Sequence, residues 1–274
     1  MTPTSVAVAL AEAHAAGVSL LDAKLLLGHL LGCSRAQLIA HDERSLSAEE
    51  AEAWQARLAR RIDGEPVAYI LGEKEFHGLV FEMSRDVLVP RPETELLVDW
   101  ATALLRALPG EPSLLDLGTG SGAIAVAVKV QCQRARVTAS DASAAANAIA
   151  RRNAGRLGAD VRFVEGSWWL PLHGQRFDVV VANPPYIAAH DPHLAALRHE
   201  PTQALSPGGD GLGALSEIAA GAPLHLEPGG WLVVEHGFDQ AERVAAMFGR
   251  AGLTSIECRR DLASQPRATG GRLA

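Results

Sequence analysis

Residues 113–122 read Ser113-Leu114-Leu115-Asp116-Leu117-Gly118-Thr119-Gly120-Ser121-Gly122, and this stretch decides the fold. An apolar strand runs directly into a glycine-rich turn, and Ala123 to Lys129 continues as an apolar helix. Glycines at such a junction let the backbone turn tightly and approach a ligand closely. The same turn can also occur with no ligand, so the pattern on either side of it carries the argument.

Downstream, strands are predicted at Arg136–Ser140, Val161–Glu165, Phe177–Ala182, Gly230–Glu235 and Ser255–Arg260, separated by helical segments. Arg267 to Ala274 reads as a last strand without an assigned function. A helix is predicted over Leu96–Leu108, just ahead of the first strand. Apolar strands alternating with helices imply an α/β fold: a mostly parallel, seven-stranded sheet covered on both faces.

Upstream the pattern differs. From Ser5 to Arg61 apolar residues recur at helical spacing, broken at Gly17, Gly32 and Asp42. Ser47, three residues before Glu50, is the signature of a capped helix start, and the last helix runs toward Arg61. Between Gly64 and Pro92, Val67–Leu71 and Leu79–Met83 are read as strands of a hairpin-like connector. The domain reading is therefore a helical region at 1–63, a connector at 64–92 and an α/β domain at 93–274.

A chain of 274 residues, 48% hydrophobic and 21% charged, can bury a large core and does not resemble a disordered protein. Its net charge of −7 gives no general attraction to nucleic-acid phosphate. Arg57, Arg60 and Arg61 form a local basic cluster, read as a solvated helix end. Cys33, Cys132 and Cys258 are far apart and odd in number, so neither a disulfide framework nor a cysteine-based zinc site is expected; a reducing cytoplasm fits. Met1 to Ala15 signals neither secretion nor membrane insertion.

The second strand ends at Ser140 and Asp141, about 20 residues beyond the glycines, where a carboxylate can accept both hydroxyls of a ribose. Alternatively, Asp141 caps a helix beginning at Ala142. After the third strand, Gly166-Ser167-Trp168-Trp169 offers a polar group and flat indole surface suited to a purine, or two aromatic core residues.

Asn183-Pro184-Pro185-Tyr186 closes the fourth strand, at the edge where ligands bind in open α/β sheets. Two prolines hold the chain extended, so the Asn183 side chain and the Pro184 carbonyl can present two acceptors rigidly to the two donors of a planar NH2 group. Such a nitrogen has a delocalised lone pair and attacks a methyl sulfonium poorly. Position must supply what basicity does not, and alignment contributes up to about 7–11 kcal/mol in ideal systems. Tyr186 could shape the slot. Asp116 and this tetrapeptide lie outside the dinucleotide-binding fingerprint.

Taken in order, the motifs resemble the PrmC/HemK family, the glutamine N5-methyltransferases of class I peptide chain release factors. The likeness includes Gly64–Ile70, Glu75–Leu79, Val89–Glu95, Asp116–Ile124, Asn183–Ile187, Glu200-Pro201, Gly208–Leu212 and Glu235–Gly237. It implies a small N-terminal helical domain that helps dock the protein substrate, joined by a β-hairpin to a Rossmann-like class I methyltransferase domain. It further implies S-adenosylmethionine as the cofactor, leaving S-adenosylhomocysteine, and the glutamine of a Gly-Gly-Gln loop as the acceptor. Gly118, Thr119, Gly120, Ser121 and Gly122 would line the methionine part of the cofactor, Asp141 its ribose and Trp168 its adenine. Asn183 to Tyr186 would receive the glutamine amide, with Asn183 also facing the cofactor. Arg91, Glu93 and Glu95 would lie near the cleft between domains as organising or cofactor-proximal groups without assigned chemistry; alternatively they are surface charges at a helix start. Two positions depart from the family: Ser167 stands where an acid is frequent, and Ser264 where glycine is common.

Three other readings use the same sheet. An N6-adenine or N2-guanine nucleic-acid methyltransferase faces the same chemical problem but needs a basic or target-reading surface. A nicotinamide oxidoreductase needs a proton donor beside its cofactor, for which the histidines qualify only by residue type. A noncatalytic binding module would not need Asn183. The expected protein is a cytoplasmic monomer with no stable nucleic-acid binding.

Overall fold

The structure, a computed structural model, describes residues 4–274. They divide into two compact units, one reaching Glu73 and the other spanning Lys74–Ala274.

The first unit contains α1 (Val6–Ala15), α2 (Leu20–Leu31), α3 (Arg35–Ala40), α4 (Ala48–Ile62) and α5 (Val67–Leu71). Each of the first four helices starts on a serine, Ser5, Ser19, Ser34 or Ser47, whose side chain accepts an amide of the first turn. Glu50 completes the expected capping box at Ser47. The helices bury Leu26, Leu27, Trp54 and Leu58 against one another.

The basic cluster on α4 is not simply solvated. Arg60 makes two 2.8 Å bonds to the Glu65 carboxylate, Arg61 donates to Asp22 at 3.0 Å and Arg57 to the Leu26 carbonyl at 3.1 Å. Val67–Leu71, expected as a strand, is helix α5. Pro66 fixes φ at −55° and its carbonyl accepts the amides of Tyr69 and Ile70, while Gly72, at φ 78°, ends the turn. A five-residue apolar run has too little periodicity to reveal this.

In the second unit, β1 (Glu73–Phe76) begins at the boundary and pairs with β2 (Leu79–Glu82) across a turn at His77-Gly78. Glu75 and Glu95 accept the amides of Gly78 and His77, which gives Glu95 a structural task. There follow α6 (Glu95–Ala107), β3 (Ser113–Leu117), α7 (Ala123–Gln131), β4 (Arg136–Asp141), α8 (Ala144–Arg156), β5 (Val161–Glu165), β6 (Phe177–Ala182), α9 (Thr202–Leu205), α10 (Gly213–His225), β7 (Leu226–Glu235), α11 (Ala241–Arg250), β8 (Leu253–Arg260) and β9 (Pro266–Leu273). Among the described residues, seven strands form one sheet in the order β5-β4-β3-β6-β7-β9-β8, parallel from β5 to β7, with β9 antiparallel to both neighbours. Ser264 turns between β8 and β9 at φ 62°, the left-handed region where glycine is less strained.

The chain proceeds from β3 outward to β5 and then returns to the other side of β3 as β6. Ligands bind outside the carboxyl ends of strands at such a reversal. Here the register fixes which residues meet. Leu117 pairs with both Ser140 and Ala182, so the next residues, Gly118, Asp141 and Asn183, emerge side by side.

Candidate active site

A cavity of about 340 Å³ opens at this edge, lined by Gly118 to Ser121, Asp141, Ser143, Ser167, Trp168, Asn183 and Pro185 among others. The glycine turn is built on main-chain bonds: the amides of Gly118 and Thr119 both donate to the Ser140 carbonyl, at 2.8 and 2.9 Å. Gly118 has φ 72°, and a Cβ there would lie 3.3 Å from the Trp168 ring. Gly122, at φ 82°, lets α8 pack closely, since a Cβ would meet Ala150 at 3.1 Å; it does not line the cavity.

Beneath the turn, buried Asp116 accepts the Thr119 hydroxyl at 2.6 Å and the Ala125 amide at 3.2 Å. Burial pushes its carboxyl from an ordinary 3.8 to about 7, against the pull of those two bonds. Asp141 accepts the amides of Gly120 and Ser143, each at 2.9 Å. Desolvation raises its pKa too. The helix after Asp141 begins at Ala144, not at Ala142, and Ser143 caps it.

The two tryptophans separate. Trp168 lines the cavity, whereas Trp169 stacks on His225 at 4.7 Å and fills the space left by Gly221 on α10. Ser167, the departure from the family acid, also lines the cavity.

Asn183 closes one end. Its Nδ2 donates to Thr94 Oγ1 at 3.1 Å. Neither Asn183 Oδ1 nor the Pro184 carbonyl accepts a hydrogen bond from any described residue. On the far side lies a smaller cavity of about 70 Å³, lined by Leu88, Arg91, Asn183, Pro184, Tyr186 and Glu235 among others. Asn183 therefore borders both spaces, Pro185 faces the larger, and Pro184 and Tyr186 face the smaller.

Several contributors had no chemistry assigned from sequence. Arg91 bonds Glu200 at 2.5 Å, and Glu200 also accepts the Val89 amide, which fastens the segment ahead of α6 to the cavity wall. Glu235 is 1% exposed and accepts the Tyr186 hydroxyl at 3.1 Å. Arg267 reaches Asp261 at 3.2 Å and helps pull the Glu235 pKa down. Thr94, Glu200 and Glu235 sit inside recognisable motifs, but nothing local reveals their partners, which are remote in sequence.

Residues 6–72 match the family described as PrmC N-terminal domain, and residues 95–212 the family described as Methyltransferase small domain. A solved methyltransferase from Pyrococcus furiosus shares the fold at a TM-score of 0.53 and 21% identity, covering 80% of this chain and 98% of that one. Sheet order, glycine turn and cavity define a Rossmann-like class I methyltransferase. The chain is 51% identical to a release factor glutamine methyltransferase of Bordetella pertussis (94% of this chain, 96% of the relative) and 49% identical to one of Burkholderia pseudomallei (99% and 98%). It belongs to the release factor glutamine methyltransferase family.

Proposed function

We propose that the protein transfers a methyl group from S-adenosylmethionine, leaving S-adenosylhomocysteine, to the side-chain N5 of the glutamine in the Gly-Gly-Gln motif of class I peptide chain release factors. The observation that carries this reading is the pair of unpartnered acceptors, Asn183 Oδ1 and the Pro184 carbonyl, where two cavities meet.

The larger cavity fits the donor. Gly118 leaves room beside the Trp168 ring for flat surface to matter, and the Asp141 carboxylate, held by the amides of Gly120 and Ser143, borders the cavity as an acceptor. Bound there, S-adenosylmethionine supplies a methyl group on a positively charged sulfur. Gly118 to Ser121 serve its methionine part, Asp141 its ribose and Trp168 its adenine, with Asn183 bordering the reactive end; Gly122 acts through its close packing on α8.

Asn183 Oδ1 and the Pro184 carbonyl accept the two protons of the glutamine NH2, turning the nitrogen toward the donor. They interact more strongly as positive charge develops on that nitrogen, which favours the transition state over the bound substrate. Tyr186 closes the slot. The methylated nitrogen is acidic enough to lose its proton without a dedicated base. Helical residues 1–63 dock the protein substrate and lead through 64–92 into the methyltransferase residues 93–274.

The working form is a cytoplasmic monomer with no stable nucleic-acid binding; no helix among the described residues is long and apolar enough to cross a membrane. The test is mass spectrometry of a class I release factor after incubation with the enzyme and S-adenosylmethionine, with a loop Gln-to-Ala variant as control. One methyl group on that glutamine is expected. Transfer to adenine or guanine in nucleic acid, with none to the release factor, would overturn the reading.

A further inference from the structure

The amide of Asn183 can work as an acceptor only if its oxygen, not its NH2, faces the slot. We propose that Thr94 and Glu235 are positioning residues that set this orientation, an inference that rests on reading Asn183 as the group receiving a planar amide.

Thr94 is 3% exposed, and its hydroxyl has a single proton to give. Asn183 Nδ2 donates to its oxygen at 3.1 Å. On the other side stands the buried Glu235 carboxylate. Its Oε1 takes the Tyr186 hydroxyl, and its Oε2 is buried without a hydrogen bond from a described residue. The Thr94 hydroxyl also acts on this carboxylate, favouring its charged form. An ionised carboxylate only accepts, so it draws the Thr94 proton toward itself and leaves the Thr94 lone pairs for Asn183. The Asn183 NH2 must then turn to Thr94, and Oδ1 is left for the substrate.

A neutral group at position 235 removes that polarity. The Thr94 proton becomes free to turn to Asn183, which can then present NH2 to the slot, donor against donor. Burial pushes Glu235 up to about 7, while Thr94, Tyr186 and Arg267 pull it down and Glu93 pushes it further up. The charged and titratable groups facing it are Tyr186 after β6, Arg267 on β9, Glu93 ahead of α6, and Arg91 on the wall of the same small cavity. Arg267 stays cationic and the Tyr186 phenol, pushed up by burial, stays protonated, so Glu235 is the group among them that changes charge near neutrality.

The experiment compares wild type with Thr94→Ser, Thr94→Val and Glu235→Gln by steady-state kinetics on a release factor, cofactor titration, and NMR of the Asn183 side-chain amide in the cofactor-free protein. Thr94→Ser should stay within about twofold of wild type, whereas Thr94→Val and Glu235→Gln should lose about 100-fold in kcat with KM and cofactor Kd within about threefold. Wild-type kcat should rise with pH through about 7, and Glu235→Gln should be flat there. The Asn183 amide resonances should match in wild type and Thr94→Ser and move or double in Glu235→Gln. Full kcat in Thr94→Val, equal impairment of Thr94→Ser and Thr94→Val, or an unmoved Asn183 amide in Glu235→Gln would overturn the proposal. Glu235→Gln retains the hydroxyl and the side-chain volume, so it decides the question if Thr94→Val does not fold. Were the wild type to methylate no release factor, the substrate reading would fail, while the NMR comparison would still judge the orientation.

Discussion

At the glycine-turn end of the site, main-chain groups do the positioning: the Gly118 and Thr119 amides share the Ser140 carbonyl, and Asp141 holds the amides of Gly120 and Ser143. At the acceptor end, side chains from four separated segments meet, Thr94, Asn183 with Tyr186, Glu235 and Arg267. The first arrangement sets main-chain groups around buried Asp116 and partly buried Asp141. The second sets the buried Glu235 carboxylate beside half-buried Arg267, so side-chain geometry there depends on protonation as well as packing. A backbone-built cradle suits a cofactor that stays the same from turnover to turnover. A side-chain network suits the orientation of one weak nucleophile.

The contrast can be broken most severely at Gly118. Valine there must adopt φ 72° and press on Trp168, so Gly118→Val should weaken cofactor binding on the order of 1,000-fold, read by calorimetry. Unchanged affinity would separate the turn from the cofactor.

Asn153 ties the glycine turn to the hairpin: buried, it donates to the carbonyls of Ser121 and Glu82 and accepts the Glu82 amide at 2.7 Å. Asn153→Ala strands those groups and should cost about 2 kcal/mol in urea unfolding, with cofactor affinity falling alongside.

The acceptor end should reveal itself through pH. Glu235 holds a proton in the folded state up to about 7, while the unfolded chain releases it near 4.5. Between those values the folded state binds more protons, so this residue's contribution falls as pH rises and levels off above about 7. His236, whose pKa burial lowers, opposes the trend in the same window; the comparison with Glu235→Gln cancels it. The stability of Glu235→Gln relative to wild type should therefore climb from pH 4.5 to about 7 and then hold. A constant difference would mean that Glu235 titrates normally. Smallest of all, Arg152→Ala removes an exposed pair with Glu82 and should leave Tm unchanged to about one degree.

The centre of the sheet was legible because β3, β6 and β7 are built around the apolar runs Leu114-Leu115, Val179–Ala182 and Trp231–Val234, bounded by polar or glycine residues. β5 and β6 were located to the residue, and β4 to within one. The cofactor-end candidates could be found for the same reason: they follow strand ends, and parallel register brings strand ends together. Val67–Leu71 was misread because its β-branched and aromatic residues favour a strand, while Pro66 and Gly72 impose a turn of helix. Sequence left the two tryptophans undivided, since only the packing of α10 takes Trp169 away from the cavity. Thr94 and Glu235 were hidden for a deeper reason. They lie 89 residues before and 49 residues beyond their hydrogen-bond partners, Asn183 and Tyr186, and no local pattern encodes a contact at such distance.

The most direct test pairs Asn183→Ala with Asp141→Ala, measuring kcat on a release factor and cofactor Kd for both. The account predicts that Asn183→Ala loses about 100-fold or more in kcat while its cofactor Kd stays near wild type. Asp141→Ala should show the reverse emphasis, with weakened cofactor and much of kcat recovered at saturation. Equal losses of kcat and cofactor affinity in Asn183→Ala would contradict the assignment of Asn183 to the acceptor amide.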